Sequence, residues 1–301
     1  DGLLRAEEMQ EKSGNKGFEY GSFDFIITNP PFGSSVKQTE KAYLHQYNLG
    51  VKDLDWLDKS YRVDYDKFSD SNIKKLGKSN QSTEVLIIEQ CWNFLDEGGY
   101  LAIVLPDGVL TNSSLQYVRD NIEEWFRIVA VVSMPQTAFS HTGAGVKSSV
   151  LFLRKWSEKT TEQFQTLKQN LQTQIRDENH YLAEVSKIED EKKAAIKDHT
   201  GFENTTEYRD KRSIEKTEDF KLWKKETGEY YNQKISDLKD ELSDIYMKKK
   251  QEALPDYPIF MAIAEDIGYD ATGRETGNNE LDPIGQKLIE FITHINVSES
   301  I

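Results

Sequence analysis

Four consecutive residues, Asn29-Pro30-Pro31-Phe32, combine a carboxamide, two rings that fix the backbone and an aromatic face. Each proline locks its own φ, lacks an N–H and holds the residue before it extended, so the turn is stiff. The Asn29 amide and the Pro30 carbonyl can then both accept from one exocyclic amine, while Phe32 offers a ring for stacking. Those are the means to hold a flat nitrogenous base by its edge and its face. A tetrapeptide is short, however, and the same residues suit a Pro-rich loop with Phe32 in an ordinary core.

The elements that must position this turn lie on either side of it. Phe23-Asp24-Phe25-Ile26-Ile27-Thr28 is an apolar run ending at Asn29, expected to be a strand buried on both faces of a parallel sheet. Residues 33–81 are polar and dotted with aromatics, without clean periodicity; so long a loop beside such a turn is either functional or a mobile surface segment. Ser82-Thr83-Glu84 opens an amphipathic helix whose stripe is Val85, Ile88, Trp92 and Leu95, and Gly98-Gly99 is expected to stop it. Residues 100–105 read as the next strand, closed by Pro106. Ser113 and Ser114 are N-cap candidates for a helix through Leu115, Val118, Ile122 and Trp125. Residues 127–132 form another strand, and residues 149–153 pair back on it as an antiparallel hairpin, expected at the sheet edge. Alternating strands and helices argue for an α/β fold with crossover connections.

From Trp156 to Leu254 the character changes: Glu, Lys, Asp and Gln dominate, and no proline occurs before Pro255. Phe164, Leu167, Leu171 and Ile175 recur at helical spacing, as do Leu182, Val185 and Ile188. Tyr231, Ile235, Leu238, Leu242 and Ile245 alternate by four and three, the seam of a coiled coil. The polar break at residues 199–204 can turn one helical arm back on another. Such a hairpin serves either to dock a partner subunit or simply to pack on itself. Residues 259–264 return to strand character, residues 267–270 read as the start of its neighbour, and residues 284–295 as a short helix.

The chain has 301 residues, 37% hydrophobic and 30% charged, with a formal net charge of −14. Phosphate neutralisation by Lys and Arg supplies most nonspecific DNA affinity, so a chain this acidic is a poor DNA binder unless a local surface or another polypeptide does the reading. No apolar run is long enough to span a bilayer, and no signal segment opens the chain. Cys91 is the single cysteine, excludes an internal disulfide, suits a reduced cytoplasmic home and reads as a small buried hydrophobe. The five histidines lack metal-ligand spacing, and Gly143-Ala144-Gly145 is no phosphate loop because no Lys-Ser/Thr follows.

The stretch from Phe23 to Gly33 resembles motif IV of the S-adenosylmethionine-using amino-methyltransferases, and Phe in its last place resembles the N6-adenine DNA methylases. Two further blocks are similar to the modification (methylase) subunit of type I restriction-modification systems. One is Leu95-Asp96-Glu97-Gly98-Gly99-Tyr100-Leu101-Ala102-Ile103-Val104-Leu105-Pro106-Asp107-Gly108-Val109-Leu110. The other runs from Val131-Val132-Ser133-Met134-Pro135 through Phe139, Thr142, Gly143 and Gly145 to Ser149-Val150-Leu151-Phe152-Leu153-Arg154-Lys155. A later segment, Ala264-Glu265-Asp266-Ile267-Gly268-Tyr269-Asp270 with Gly273-Arg274, also resembles these subunits and makes the helical arm an insertion.

The resemblance implies the second half of a Rossmann-like S-adenosylmethionine-dependent methyltransferase sheet carrying a helical arm. Residues 1–156 would be a partial catalytic domain, 157–254 the helical hairpin insertion, and 255–301 the return with the final strands and helix. The implied reaction is direct attack of adenine N6 on the sulfonium methyl. Asn29 and the Pro30 carbonyl would accept the amine hydrogens, Phe32 would stack on the flipped base, and Pro31 and Phe139 would line its pocket. A core role for Phe139 is equally open. Asn29 and Asp1 would face the cofactor, S-adenosylmethionine; Asp1 resembles an acidic residue that binds the cofactor's adenine, though a chain end can also fray. The implied partners are DNA, a specificity subunit and, in systems that have one, a restriction subunit. A full methylase carries a Gly-rich cofactor loop upstream of motif IV, and none precedes Asn29, so the chain is expected to be a C-terminal fragment, inactive alone. Two other readings remain: the same fold acting on an RNA or protein amine, against which Phe32 in place of Tyr argues, and a non-catalytic assembly module.

Overall fold

The computed structural model describes residues 2–37, 44–51, 56–57, 78–140, 145–203 and 211–299. They fall into two compact units, one drawn from residues 1–53, 65–165 and 256–301, the other from residues 54–64 and 166–255.

The first unit is built on a five-stranded mixed sheet. Its strands are β1 (Phe23–Thr28), β4 (Leu95–Pro106), β5 (Phe126–Ser133), β6 (Ser148–Lys155) and β7 (Phe260–Ile263), in the spatial order β1-β4-β6-β5-β7. β1 runs parallel to β4 and β5 parallel to β7, while β6 is antiparallel to both β4 and β5. The hairpin expected at the sheet edge is therefore at its centre. β6 pairs along nearly its whole length on both sides, from Arg154 opposite Tyr100 to Ser148 opposite Pro106, and again with β5. Its buried Leu151 and Leu153 explain the preference: an apolar strand gains most where both its edges and its inner face are covered.

Helix α2 (Thr83–Phe94) precedes β4 and helix α4 (Gln116–Trp125) precedes β5; short α3 (Asp107–Thr111) lies between β4 and α4. α2 and α4 cover one face of the sheet. Val85, Ile88, Val118, Ile122 and Trp125 pack there against Leu101, Ile103, Leu105, Leu151 and Leu153. α2 ends at Phe94, before the expected Gly98-Gly99 stop. Lys155 caps it instead, its ammonium donating to the carbonyls of Trp92 (2.8 Å) and Leu95 (2.6 Å). The glycines serve an irregular start to β4: Gly98 has φ +76°, and a Cβ on Gly99 would stand 3.0 Å from the Phe23 carbonyl oxygen.

α9 (Leu281–Glu299) lies against the opposite face, where the Tyr100 hydroxyl donates to Asn296 Oδ1 at 2.9 Å and Phe291 meets Phe260 at 5.8 Å. That cover does not reach β1. Phe25 and Ile27 are 52% and 77% exposed, so β1 is not buried on both faces as its apolar run suggested. Periodicity cannot reveal that a strand has a neighbour on one side only. A second departure concerns β8 (Ile267–Tyr269), which pairs antiparallel with β9 (Glu275–Asn279) in a separate hairpin and not with β7.

The stretch after the Pro turn is, where described, well packed. β2 (Ser35–Lys37) pairs with β3 (Asn80–Ser82), and α1 (Ala6–Ser13) follows a buried Leu3-Leu4 pair. Leu44, Tyr47 and Leu49 are buried, the first two beside Leu86 of α2. Two buried polar residues of α2 fasten this layer. The Glu89 carboxylate accepts the backbone N–H groups of Asn48 (2.8 Å) and Leu49 (2.9 Å). Gln90 donates to the Leu4 carbonyl at 2.7 Å and accepts from the Tyr47 hydroxyl at 2.9 Å.

The second unit is helical. α5 (Glu158–Glu178) leads into it from β6, followed by α6 (Tyr181–Asp198), the single turn α7 (Lys211–Ile214) and the long α8 (Glu218–Ala253). α6 and α8 run antiparallel, as Lys192 meets Asn232 at 2.8 Å and His199 meets Phe220 at 4.5 Å. Leu57, Ile175, Tyr181, Val185, Leu242 and Tyr246 form its core, with Ile235, Leu238 and Ile245 packed around them at the four-three spacing. Thr217 caps α8, its Oγ1 accepting from the Phe220 N–H at 3.2 Å, and the helix ends ahead of Pro255. No helix among the described residues is long and apolar enough to cross a membrane.

Candidate active site at the carboxyl ends of the strands

β1, β4 and β5 point the same way, so the segments that follow Thr28, Pro106 and Ser133 gather at one end of the sheet. Ligands of open α/β sheets are bound at that end, where chains diverge and leave a crevice. The turn after β1 carries Asn29 to Phe32. Pro30 is buried, Phe32 half-buried, and Asn29 and Pro31 are exposed. Gly33, at φ +72°, reverses the chain without a Cβ penalty. Immediately after it, the Ser34 carbonyl accepts from the Thr83 N–H at 3.0 Å and from Thr83 Oγ1 at 3.3 Å. The turn is thus clamped between β1 and the start of α2. The Asn29 amide has no hydrogen-bond partner among the described residues, which leaves its acceptor and donor groups for a ligand.

The segment after β5 brings in the second aromatic. Met134 and Ala138 are buried, with Ala138 N–H donating to the Pro135 carbonyl and Ser140 N–H to the Thr137 carbonyl, each at 3.0 Å. Lys147 donates to the Met134 carbonyl, and Gln136 to the Gly145 carbonyl at 2.9 Å. This tight turn presents Phe139. Its ring stands 5.7 Å from that of Phe32 at an interplanar angle of 87°. Residues 32 and 139, more than a hundred positions apart in sequence, therefore form one aromatic corner beside the Pro turn. In the third segment, Asp107 N–H donates to the Lys147 carbonyl at 2.9 Å, and Asp107 Oδ1 accepts from the Ser149 hydroxyl at 2.8 Å.

Asp1 lies outside the described residues, as do Thr142 and Gly143. Gly2 is described; a Cβ there would meet Ile87 of α2 at 3.9 Å.

Sequence reasoning passed over Glu84. It is the residue after the Thr83 that holds Ser34, it is buried, and its Oε2 is fully enclosed with no partner among the described residues. Burial holds its pKa above the ordinary carboxylate value, against the lowering effect of hydrogen bonds from its own N–H and Ser82. A glutamate in the first turn of a helix ordinarily reads as a partner for the helix dipole, so no pattern marks it. Cys91 is buried as expected, and burial pushes its thiol up to about 12, which makes it inert at neutral pH. Among the described residues no group of three or more His, Cys, Asp or Glu is placed to hold a metal ion.

The family model of the N-6 DNA methylases matches residues 6–237. No curated protein matches the chain. Among solved structures, a chain from an assembly of the type I restriction-modification system is 20% identical, with 44% of this chain and 21% of that one covered and a TM-score of 0.31. The M protein of the type I restriction enzyme EcoKI is 18% identical, with 46% and 22% covered and a TM-score of 0.28. A type I restriction-modification methyltransferase subunit from Streptococcus thermophilus is 15% identical, with 48% and 31% covered and a TM-score of 0.26. The chain thus spans under a third of each of these structures, and likenesses this weak assign no activity. The family match stands on its own: extending over most of the sequence, it shows that the chain belongs to the N-6 DNA methylase family.

Proposed function

We propose that the chain carries the amine-binding part of a DNA adenine-N6 methyltransferase that uses S-adenosylmethionine, as the modification subunit of a type I restriction-modification system. The observation that carries this reading is the exposed Asn29 amide, without a hydrogen-bond partner among the described residues, in the turn that brings Phe32 against Phe139 at the carboxyl end of the sheet. An amide edge next to an aromatic corner suits a flat base with an exocyclic amine.

Adenine N6 is a weak nucleophile because its lone pair is delocalised into the ring. Asn29 Oδ1 and the Pro30 carbonyl, accepting one amine hydrogen each, favour the pyramidal nitrogen of the transition state over the planar ground state. Phe32 stacks on the base, with Phe139 closing the corner against its ring. S-adenosylmethionine, when bound, supplies the sulfonium methyl. In this reading Asn29 and Asp1 face that cofactor; the exposure of the Asn29 amide supports it, and Asp1 lies outside the described residues. Among the described residues ahead of β1 lie α1 and loops with no Gly-rich strand-to-helix turn, so residues 1–301 are read as holding only part of that pocket. DNA and a specificity subunit are the partners in this reading, joined by a restriction subunit in systems that have one. The net charge of −14 agrees with a chain that leaves much of DNA reading to a partner.

Two measurements test this. The full-length parent, with its specificity partner, is expected to place a methyl group on adenine N6 of duplex DNA and not on RNA or peptide substrates; methyl transfer to either of those alone would reject the DNA assignment. Residues 1–301 alone are expected to show no tight binding of S-adenosylmethionine by calorimetry, and micromolar binding would contradict the split of the pocket.

A further inference from the structure

The corner that Phe139 completes is held in place from an unexpected quarter. β8 and β9 follow the whole helical unit in sequence, yet their hairpin packs beneath the turn at residues 134–140. Ile267 and Ala264 are buried with Met134 and Ala138, and Phe139, Tyr269, Leu281 and Val104 pack around them. Within this cluster the Tyr269 hydroxyl donates to the Ala138 carbonyl at 3.3 Å, one residue before Phe139.

The hairpin is a stiff support. Asp266 Oδ1 accepts from Thr276 Oγ1 at 2.7 Å and from the Gly268 N–H at 3.0 Å, tying its two strands together. Glu280 Oε2 accepts the N–H groups of Glu265 (2.6 Å) and Asp266 (3.2 Å) at its base. At its tip the Asp270 carboxylate takes up Thr272 Oγ1 at 2.7 Å and the N–H groups of Thr272 (2.8 Å) and Arg274 (3.1 Å). Gly268, at φ +95°, passes close to Asn279, where a side chain would be strained. A ring mounted on such a hairpin moves little, and a hydrogen bond from it to the Ala138 carbonyl fixes the backbone that aims the Phe139 ring.

We propose that Tyr269 is a positioning residue for the target base: it sets where Phe139 stands against Phe32, and so the width of the aromatic corner that receives the base. This rests on the reading of the Asn29–Phe32 turn as the base site. Tyr269 touches neither base nor cofactor in this role; it acts through Phe139. The prediction is therefore a split, with base capture weakened and cofactor binding untouched.

The test uses the full-length parent with its specificity partner and a duplex bearing 2-aminopurine at the target adenine, whose fluorescence rises when the base leaves the stack. Tyr269→Phe keeps the ring and loses one hydrogen bond, so base capture and KM for DNA are expected to worsen about fivefold, as one such bond is worth. Its cofactor affinity is expected to match the wild type, and its melting temperature to fall by no more than the loss of one hydrogen bond accounts for. Tyr269→Ala, which also removes the ring, is expected to lose more. Wild-type base capture in Tyr269→Phe, or a loss matched by falling cofactor affinity and melting temperature, would overturn the proposal. Asn29→Ala, run alongside, separates the two claims. If it is inactive while Tyr269→Phe matches the wild type, only the role of Tyr269 falls. If Asn29→Ala retains full activity, the site reading falls and the role of Tyr269 with it.

Discussion

Two of the aromatic groupings among the described residues differ in how the polar groups around them are used. At the tip of the helical unit His199, Phe202, Phe220 and Trp223 stack within 4.5–6.4 Å of one another. In that cluster the polar groups are paired: His199 meets Glu215 at 3.3 Å and Thr217 takes up the Phe220 N–H, while Phe220 is 4% exposed and the other three rings are half-buried. At the Pro turn, Phe32 and Phe139 are likewise half-buried. The Asn29 amide is exposed without a partner among the described residues, and Glu84 Oε2 is enclosed without one. Buried or stiffly held polar groups are normally paired, so an exposed amide with unused hydrogen-bonding capacity at the carboxyl end of the sheet marks a place suited to a ligand. A cluster that satisfies itself reads as structure.

Substitutions can break this contrast, and the largest effect is expected at the arm tip. Phe220→Ala removes a buried ring and is expected to cost about 3–5 kcal/mol in the stability of the helical unit, read as an early loss of helical signal on heating. Methyl transfer by the remaining folded protein should be unchanged; a selective loss of catalysis would erase the distinction. Phe32→Ala should do the reverse. We expect target-base binding to weaken by about 1–3 kcal/mol, the worth of one base–aromatic stack, with little change in melting temperature. A large drop in stability would return Phe32 to the core.

The smallest effect concerns Glu84. A carboxyl whose pKa is raised by folding binds its proton more tightly in the native state than in the unfolded chain. Its contribution is therefore fully present in acid and is lost as pH rises through the folded pKa, which makes ionised Glu84 a liability at neutral pH. Glu84→Gln is expected to be slightly more stable than the wild type at neutral pH in urea melts and indistinguishable below the ordinary carboxylate range. Equal stability at every pH would show that the ionised Glu84 carboxylate is compensated in the fold.

Much of this contrast could be read from the sequence, and the rest for physical reasons could not. The Pro turn, the helix after Ser82 and the four-three seam from Ile235 to Ile245 depend on local chemistry, which a sequence displays directly. The central place of β6 and the exposure of Phe25 and Ile27 depend on which strands become neighbours, a property of the whole sheet. Glu89 and Gln90 lie outside the apolar stripe of Val85, Ile88, Trp92 and Leu95. They are buried because residues 44–51 fold over them, and no periodicity within α2 announces a second layer. The Phe32–Phe139 corner was suggested by resemblance alone, since no local rule links residues so far apart. Tyr269 lies in a segment marked by resemblance, but nothing local assigns it a role; the role proposed for it depends on a hairpin beyond the helical unit returning to the turn at residues 134–140.

The central claim is that the Asn29 amide holds the amine that is methylated, and single-turnover methyl transfer to adenine in DNA tests it most directly. In the protein assayed with the specificity subunit proposed as its partner, Asn29→Ala is expected to slow the transfer step by about a hundredfold or more, the usual cost of removing one placed transition-state dipole. Its melting temperature should match the wild type, because Asn29 is exposed and supports no described hydrogen bond. Transfer at the wild-type rate in a folded Asn29→Ala protein would contradict the assignment of this turn to the amine.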